Sequence, residues 1–482
     1  MGTEARRERI FLRDVEPLSA FNGRKVTVMG LGLFGGGKGL TEFLCSVGAD
    51  VTVTDLRSRE ALAPVLSELE GLPVRWVLGE HREEDFTRTD MVFANPAVPR
   101  DSQLLALARR KGIPLETEMN LFFKHCPASI CAITGSNGKT TTTSLAGAMA
   151  RKVRRDALVG GNLGKSLLPD LASLKAGDWV VLEVSSFQLE DLASVDRRPD
   201  VAVVTNLSPN HLDRHVTYDA YLDAKRVILE PGPSACSAVL NGEDSLVRSW
   251  RSPARDTLFF GRTGSVVPRA PGVWLDEADG SVFLSRDGCR SRLFEARDLS
   301  LAGRFNVLNA GAASAAALMM GIEPGRIAEA IREFRPVEHR LEPVLERDGI
   351  IYLNDSIATT PESTVAALEA LGPNAVFICG GSEKGCSFGA LGRSLALRAR
   401  GVVLLGKTAD AIAAAIPKRP GAVEVRKAGT LEDAVAQASD MARPGDRVIL
   451  SPACPSYDMF LNFAERGRRY KEIVRALGSS PS

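Results

Sequence analysis

The run Ile130-Cys131-Ala132-Ile133-Thr134-Gly135-Ser136-Asn137-Gly138-Lys139-Thr140-Thr141-Thr142 joins a short apolar stretch to a Gly-x-x-Gly-Lys-Thr turn. Thr142 to Met149 then opens a helix. Strand, turn and helix in this order aim consecutive backbone N–H groups at a phosphate, the lysine adds charge near a transferred group, and a hydroxyl such as Thr140 can ligate Mg²⁺. The plainer alternative is a glycine turn that only joins a strand to a helix. The loop lacks the first glycine of the fuller G-x-x-x-x-G-K-[ST] pattern, because Ile133 stands there. It therefore marks a nucleotide phosphate without saying whether the phosphoryl group goes to water, a protein or a small acid.

Further candidates lie downstream. The apolar strand Trp179 to Ser185 carries Glu183 near its end, and a carboxylate beside a phosphate loop is where a hard, oxygen-seeking cation would be held. Val201 to Leu207 is a second strand of parallel type, followed by the polar loop Ser208-Pro209-Asn210-His211-Leu212-Asp213-Arg214-His215, in which His211 either binds a metal or caps the loop. Lys225-Arg226 sits on a helix spanning Tyr221 to Leu229, and the pair by itself reads as a solvent-facing charge.

The elements that must position these groups fall into three units. Arg24 to Gly37 is a strand running into a glycine loop; Thr41 to Gly48 continues as a helix and Asp50 to Asp55 as a second strand, the order of a mononucleotide-binding βαβ unit. Asn95-Pro96-Ala97-Val98-Pro99 makes a stiff loop at a strand end. The first domain closes around residue 124, giving spans of 1–124, 125–336 and 337–482. Between about 233 and 295 short alternating runs broken by Gly, Pro and Asp predict a peripheral β segment, and Asn306 to Met320 is an alanine-rich helix. The last span alternates strands with helices as a second open α/β sheet, with ligand groups expected at strand C-terminal ends. At 482 residues, 44% hydrophobic and 25% charged, the chain is long enough for several cores. Its net charge of +1 provides no global pull towards nucleic acid or an anionic membrane. The charged N-terminus lacks an apolar signal-type core and no apolar run reaches spanning length, so a cytoplasmic protein is expected, and its expected state is a monomer. The eight cysteines are scattered without paired CxxC spacing and read as buried thiols.

Taken together, the chain resembles the Mur ligases over essentially its whole length. Gly135 to Thr141 looks like that family's ATP loop, Asn206 to Arg214 its central polar motif, and Glu338-His339-Arg340 the opening of its C-terminal domain; Val184-Ser185-Ser186-Phe187-Gln188-Leu189-Glu190 and Leu450-Ser451-Pro452-Ala453-Cys454 are most similar to the glutamate-adding branch. The resemblance implies an α/β, three-domain architecture: an N-terminal Rossmann-like domain for the UDP substrate, a central P-loop ATPase-like domain with a peripheral β segment, and a C-terminal Rossmann-like domain. It also implies ATP, Mg²⁺, UDP-N-acetylmuramoyl-L-alanine and glutamate, joined through an acyl phosphate in peptidoglycan precursor synthesis, with D-glutamate favoured.

By the same resemblance, Lys139 stabilises the β- and γ-phosphates, within an ATP set of Gly135, Ser136, Asn137, Gly138, Lys139, Thr140, Thr141, Asn309, Arg340 and Asp355. Thr140 and Glu183 hold Mg²⁺, His211 a second metal, and Lys225 joins them if its amine is carbamylated, which reverses the solvent-facing reading. Lys139, His211 and Lys225 are the catalytic candidates. Leu33, Arg57 and Asn162 fall to the UDP substrate, and Thr359, Lys384, Ser456 and Phe463 to the acceptor glutamate.

Departures from the pattern matter. Phe34 and Leu56 stand where hydroxyl residues are usual, and Ile357 replaces the lysine of an Asp-Ser-Lys-Ala-Thr sequence, which keeps L-glutamate as the closest alternative acceptor. A non-catalytic nucleotide-binding regulator would not need Lys139, Glu183, His211 and Lys225 together. An oxidoreductase reading rests on Gly30-x-Gly32-x-x-Gly35 alone and leaves the phosphate loop unexplained.

Overall fold

In a computed structural model, the structure describes residues 17–32, 35–96, 98–162, 166–208, 215, 217–230, 232, 236–251, 256–264, 270–301, 304–335, 338–371, 373–383, 387–417 and 423–479. The chain divides into two compact units: residues 1–299 with 303–334, and residues 300–302 with 335–482.

The first unit contains two sheets. The strands β1 (Lys25–Met29), β2 (Asp50–Asp55), β3 (Val74–Leu78), β4 (Met91–Ala94) and β5 (Leu115–Glu116) form a parallel sheet in the order β3-β2-β1-β4-β5. Val26, Val28, Val51 and Val53 are buried on one face of it, and Thr27 and Met29 are buried on the other, so both faces of the sheet are covered. The helix after β1 runs Gly36–Ser46, starting within the glycines rather than at Thr41 as the sequence suggests. The cause is steric: a Cβ on Gly37 would lie 2.2 Å from the Leu31 carbonyl oxygen, so only glycine lets the helix begin so close to the strand end.

The second sheet comprises β6 (Ser129–Thr134), β7 (Leu158–Gly161), β8 (Trp179–Glu183), β9 (Val201–Val204), β10 (Ser237–Asn241), β11 (Thr257–Arg262), β12 (Gly272–Leu275), β13 (Ser281–Arg286) and β14 (Cys289–Glu295), in the order β14-β13-β12-β11-β10-β9-β6-β8-β7. It is parallel from β7 to β12, and β12, β13 and β14 pair antiparallel, the peripheral β segment expected from the composition between 233 and 295. The helix Arg304–Met319 covers it with a run of fully buried alanines, whose small side chains permit close approach to the strands. Arg197, just before β9, holds the segment that leads into β6: its guanidinium donates to the carbonyls of Phe123, Cys126 and Ala128, where the helix Glu118–His125 passes into that strand.

The second unit has one sheet: β15 (Glu342–Arg347), β16 (Ile350–Asn354), β17 (Ala375–Cys379), β18 (Gly401–Leu404), β19 (Glu424–Lys427) and β20 (Arg447–Leu450), in the order β15-β16-β20-β17-β18-β19. Only β15 is antiparallel. Helices cover the sheet through two apolar clusters built on Phe377, Leu404 and Ile449 on one side and Ile378, Val403 and Leu450 on the other. Among the described residues, no helix is long and apolar enough to cross a membrane.

Candidate active site

The phosphate loop leaves the C-terminal end of β6, which lies between β8 and β9 in its sheet. Gly138 takes the left-handed conformation at φ +79 and caps the helix Lys139–Arg151, placing a helix N-terminus, the end that favours an anion, at the loop. A Cβ on Gly138 (φ +79) would meet Asn309 Oδ1 at 2.3 Å, and one on Gly135 (φ +148) would meet Thr205 Oγ1 at 1.9 Å, so a side chain at either position would be strained by the backbone as well as crowded. The loop is pinned from the end of β9. Ser136 N donates to Asn206 O at 2.8 Å and Asn137 N to Asn206 Oδ1 at 2.9 Å. Asn206 Nδ2 and Thr205 Oγ1 both return hydrogen bonds to Asn137 O. Lys139 Nζ meanwhile reaches the carbonyls of Gly135 and Ser136, at 3.1 and 2.9 Å, within the curl of its own loop.

Around this cradle the fold collects oxygen donors. Thr140 Oγ1 donates to Glu183 Oε2 at 2.6 Å, and Asn162 Nδ2 donates to Glu183 Oε1 at 3.0 Å. Glu183 is buried at the end of β8, and Gly161 makes room for its carbonyl, which a Cβ there would approach to 2.2 Å. Asn162, assigned from the sequence to the UDP substrate, thus lies against the same carboxylate as Thr140.

Lys225 lies beneath the same loop. It is 2% exposed on the helix Tyr218–Arg226, donating to Thr134 Oγ1 at 3.1 Å and Gly135 O at 2.9 Å, with the Tyr221 ring 5.0 Å away. The solvent-facing reading of this residue is therefore wrong: the helix turns Lys225 inward, under the phosphate loop. Desolvation, and then the charge of Lys139, push its ammonium well below the usual lysine range, against a weaker opposing pull from Glu183. Tyr221, which the sequence did not single out, supports the same loop by its hydroxyl, 2.7 Å from Ser136 Oγ. Its signal was the i, i+4 spacing to Lys225 on one helix face.

At the first sheet, Asp55 accepts from the backbone N–H groups of Gly32 (3.1 Å) and Arg57 (2.9 Å), and the Arg57 guanidinium stands 3.8 Å from it. Asn95, just after β4, donates from Nδ2 to Gly30 O, closing the crevice between β1 and β4, where the strand order reverses and α/β sheets bind ligands. Glu118, partly buried, approaches Gly36 so closely that a Cβ there would lie 2.6 Å from its Oε2; burial pushes this carboxyl up to about 7, opposed by a hydrogen bond to Ser166. Sequence reading missed it because no motif surrounds it. Leu33, His211 and Lys384 lie outside the described residues.

In the second unit, Asp355 follows β16 and is buried, accepting from Ser451 Oγ at 2.8 Å and Leu341 N at 3.2 Å. Burial pushes it up to about 7, against those hydrogen bonds and the Arg340 charge. Arg340 lies between His339 and Leu341, both at positive φ (65 and 42), conformations unfavourable to side chains with a Cβ. Thr359 is partly exposed on the loop after Asp355, Ser456 is buried after β20, and Phe463, 37% exposed, opens the helix Phe463–Ser479. Ser356 Oγ donates to Phe463 O at 2.7 Å and so joins two of these segments.

Three family profiles match the chain: a MurD-like N-terminal domain over residues 24–116, the Mur ligase middle domain over 133–317, and the Mur ligase glutamate ligase domain over 339–454. The chain belongs to the Mur ligase family. It is 41% identical over 466 residues to the UDP-N-acetylmuramoylalanine–D-glutamate ligase of Roseiflexus sp., covering 94% of this chain and 99% of that one, and 38% identical to the ligase of the same name from Symbiobacterium thermophilum, covering 94% and 98%. Its fold is that of solved Mur ligases. The murein peptide ligase of Psychrobacter arcticus superposes with a TM-score of 0.54 at 17% identity, covering 95% of this chain and 100% of that one; the UDP-N-acetylmuramate-alanine ligase of Thermotoga maritima gives 0.54 at 21%, with the same coverage. As a Mur ligase it is an ATP-dependent enzyme that forms amide bonds.

Proposed function

We propose that this Mur ligase joins glutamate, D-glutamate in preference to L-glutamate, to UDP-N-acetylmuramoyl-L-alanine, in the cytoplasm and as a step of peptidoglycan precursor synthesis. The observation that carries the chemistry is the placement of Thr140, Glu183 and buried Lys225 around one phosphate loop. The choice of substrates is supported by the names of the full-length relatives. Residues 1–124 then serve the UDP substrate, 125–336 ATP, and 337–482 glutamate and ATP.

The terminal carboxylate of UDP-N-acetylmuramoyl-L-alanine attacks the γ-phosphorus of ATP, giving an acyl phosphate and ADP. The acceptor's ammonium loses a proton, its amine attacks the acyl carbon, and inorganic phosphate leaves as the amide forms. A free carboxylate is a poor electrophile, so phosphorylation supplies the leaving group. The loop N–H groups and Lys139 stabilise the charge that gathers on the transferred phosphoryl group.

Mg²⁺ fits this donor set. Among the described residues no cluster of three or more His, Cys, Asp or Glu offers a full protein cage. A hydroxyl and one carboxylate 2.6 Å apart beside a phosphate loop suit a cation that keeps water and phosphate oxygens in its shell. Thr140 and Glu183 would hold it, and when bound it neutralises charge on the phosphates. Lys225 is suited to carry a further anionic oxygen. Its desolvated amine is held towards the neutral form, the form that attacks CO₂; the new N–C bond and the loss of one proton leave a carbamate.

The L-glutamate reading is favoured by one residue: Ile357, partly exposed beside Ser356, where the resemblance leads one to expect a lysine. Incubation with ATP, Mg²⁺ and UDP-N-acetylmuramoyl-L-alanine plus either enantiomer, followed by phosphate release and product mass, decides between them. D-Glutamate should give product and stoichiometric phosphate; product from L-glutamate alone would reverse the assignment.

A further inference from the structure

The ligand edge of the first sheet holds a titratable group that the reaction scheme leaves unused. Glu118 comes just beyond β5 and opens the helix Glu118–His125, which Thr117 caps by accepting from Asn120 N at 3.2 Å. It therefore stands at the carboxyl end of the sheet, with Asn95 after β4 and the glycine loop after β1, on either side of the point where the strand order reverses. A Cβ on Gly36, the first residue of the helix Gly36–Ser46, would lie 2.6 Å from Glu118 Oε2, so the carboxyl rests against the first turn of that helix. One turn further on, a Cβ on Gly39 would lie 2.3 Å from the Cβ of buried Ser166. Both glycines are bare where Glu118 and Ser166 close on the helix that leaves the glycine loop.

Ser166 Oγ already accepts from Leu168 N at 3.3 Å, which leaves its own proton for Glu118. Among the described residues that hydroxyl is the carboxyl's partner, and no backbone N–H or cation compensates a negative charge on it. The charges on the elements packed around it are engaged with one another. Lys38, on the helix Gly36–Ser46, pairs with Glu42 and Glu68; Lys124, on Glu118's own helix, pairs with Glu116; and Asp191, on the neighbouring helix Ser186–Leu192, pairs with Arg100. Asp170 lies just beyond Ser166. None of these charges shifts Glu118: burial pushes it up to about 7, and Ser166 alone opposes. A carboxyl that keeps its proton near neutral pH is a hydrogen-bond donor.

We propose that Glu118 is a specificity-determining residue for the UDP substrate, donating a hydrogen bond to an oxygen of its diphosphate at the start of the helix Gly36–Ser46. The inference rests on the reading of residues 1–124 as the UDP-substrate domain and deepens it: the substrate binds together with one proton, held on Glu118. Once ionised, the same carboxyl sets a negative charge against the diphosphate and competes with it for the helix N-terminus. A bound diphosphate raises the carboxyl further, so affinity is full below pH 7 and falls as pH rises through the value of the free protein.

The test is isothermal titration of UDP-N-acetylmuramoyl-L-alanine into the full chain, without ATP, between pH 6 and pH 8. The diphosphate diester and the carboxylate of this ligand keep their charge over that range, so a change in affinity belongs to the protein. The dissociation constant should rise about tenfold from pH 6 to pH 8, the ratio expected for one group titrating near 7. Repeated in two buffers of different ionisation enthalpy, binding at pH 7 should take up roughly half a proton. Glu118→Gln, which donates without titrating, should bind across the range within about twofold of the wild-type affinity at pH 6 and take up no proton. Ser166→Ala removes the hydrogen bond that favours the ionised form, so it should move the fall to higher pH, and it provides the reading if Glu118→Gln does not fold. A flat wild-type profile, or a fall that neither Glu118→Gln removes nor Ser166→Ala moves, would overturn the inference alone. No binding of the ligand at any pH would overturn the UDP reading, and the inference with it.

Discussion

The phosphate loop of the first unit and the proposed acceptor region of the second hold their polar groups in opposite ways. Around Gly135 to Thr140 the donors are largely backbone N–H groups, and Ser136 and Asn137 are already held by Asn206 before any nucleotide arrives. Around Ser356 to Arg466 the groups are side chains, and two of them, Ser456 Oγ and Arg466 Nη1, are left without a partner. A phosphate is common to every nucleotide and can be met by a rigid backbone cradle. The side chains around Arg466 are brought together only by the fold: its Nε donates to Ser356 Oγ at 3.0 Å across 110 positions.

The contrast predicts where a mutation acts. The largest effect belongs to Lys139→Ala, which removes charge from the transferred phosphoryl group. Coupled ADP formation should fall by about 10²–10³-fold in kcat with little change in melting temperature. Unchanged coupled activity would remove the loop from the chemistry. Lys225→Ala should cost roughly 10- to 100-fold, the range for groups that support a metal shell. Added acetate or formate should restore part of it if the carbamate reading holds, and a side chain that only props up the loop would not be rescued.

The smallest effect concerns stability, and each unit contributes one carboxyl to it. Glu118 and Asp355 are both pushed up to about 7 by burial. The unfolded chain ionises these groups near pH 4, at roughly 3.9 for Asp and 4.3 for Glu. Below that both states are protonated; between there and about 7 the folded protein alone keeps its protons, so stability falls as pH rises across this window and then levels. Asp355→Asn should flatten the part of the fall that belongs to the second unit, by a few degrees in melting temperature between pH 5 and 7, while the Glu118 contribution persists. A pH profile identical to wild type would show that Asp355 stays ionised.

The same contrast explains what could be read without the fold. The phosphate loop was legible because Gly138, Lys139 and Thr140 act through local backbone geometry, and the αL cap at Gly138 needs glycine for a reason visible in the sequence itself. The β segment expected between about 233 and 295 and the alanine-rich helix were legible from turn residues and small side chains. Lys225 was misread from its own residues because a Lys-Arg pair on a helix does not say which member faces in; that depends on Tyr221 and the phosphate loop closing over it. Arg466 was invisible because its partners, Ser356 and Cys454, are 110 and 12 residues away and form no motif with it. The start of the first long helix was misplaced because the close approach of Gly37 to Leu31 is a tertiary constraint.

The hydrogen bond from Asn137 to Asn206 has a consequence in time as well as in space. These residues are 69 positions apart, and β6 pairs with both β8 and β9. A chain still being synthesised that has only just displayed Gly135 to Thr141 therefore carries the motif without the cradle, because the strand that pins the loop has yet to emerge. Contacts of this range are slow to close and follow local helix formation. Nucleotide competence should thus lag the motif itself by the 69 positions that separate Asn137 from Asn206, and the nascent protein stays unable to engage ATP until that strand has paired.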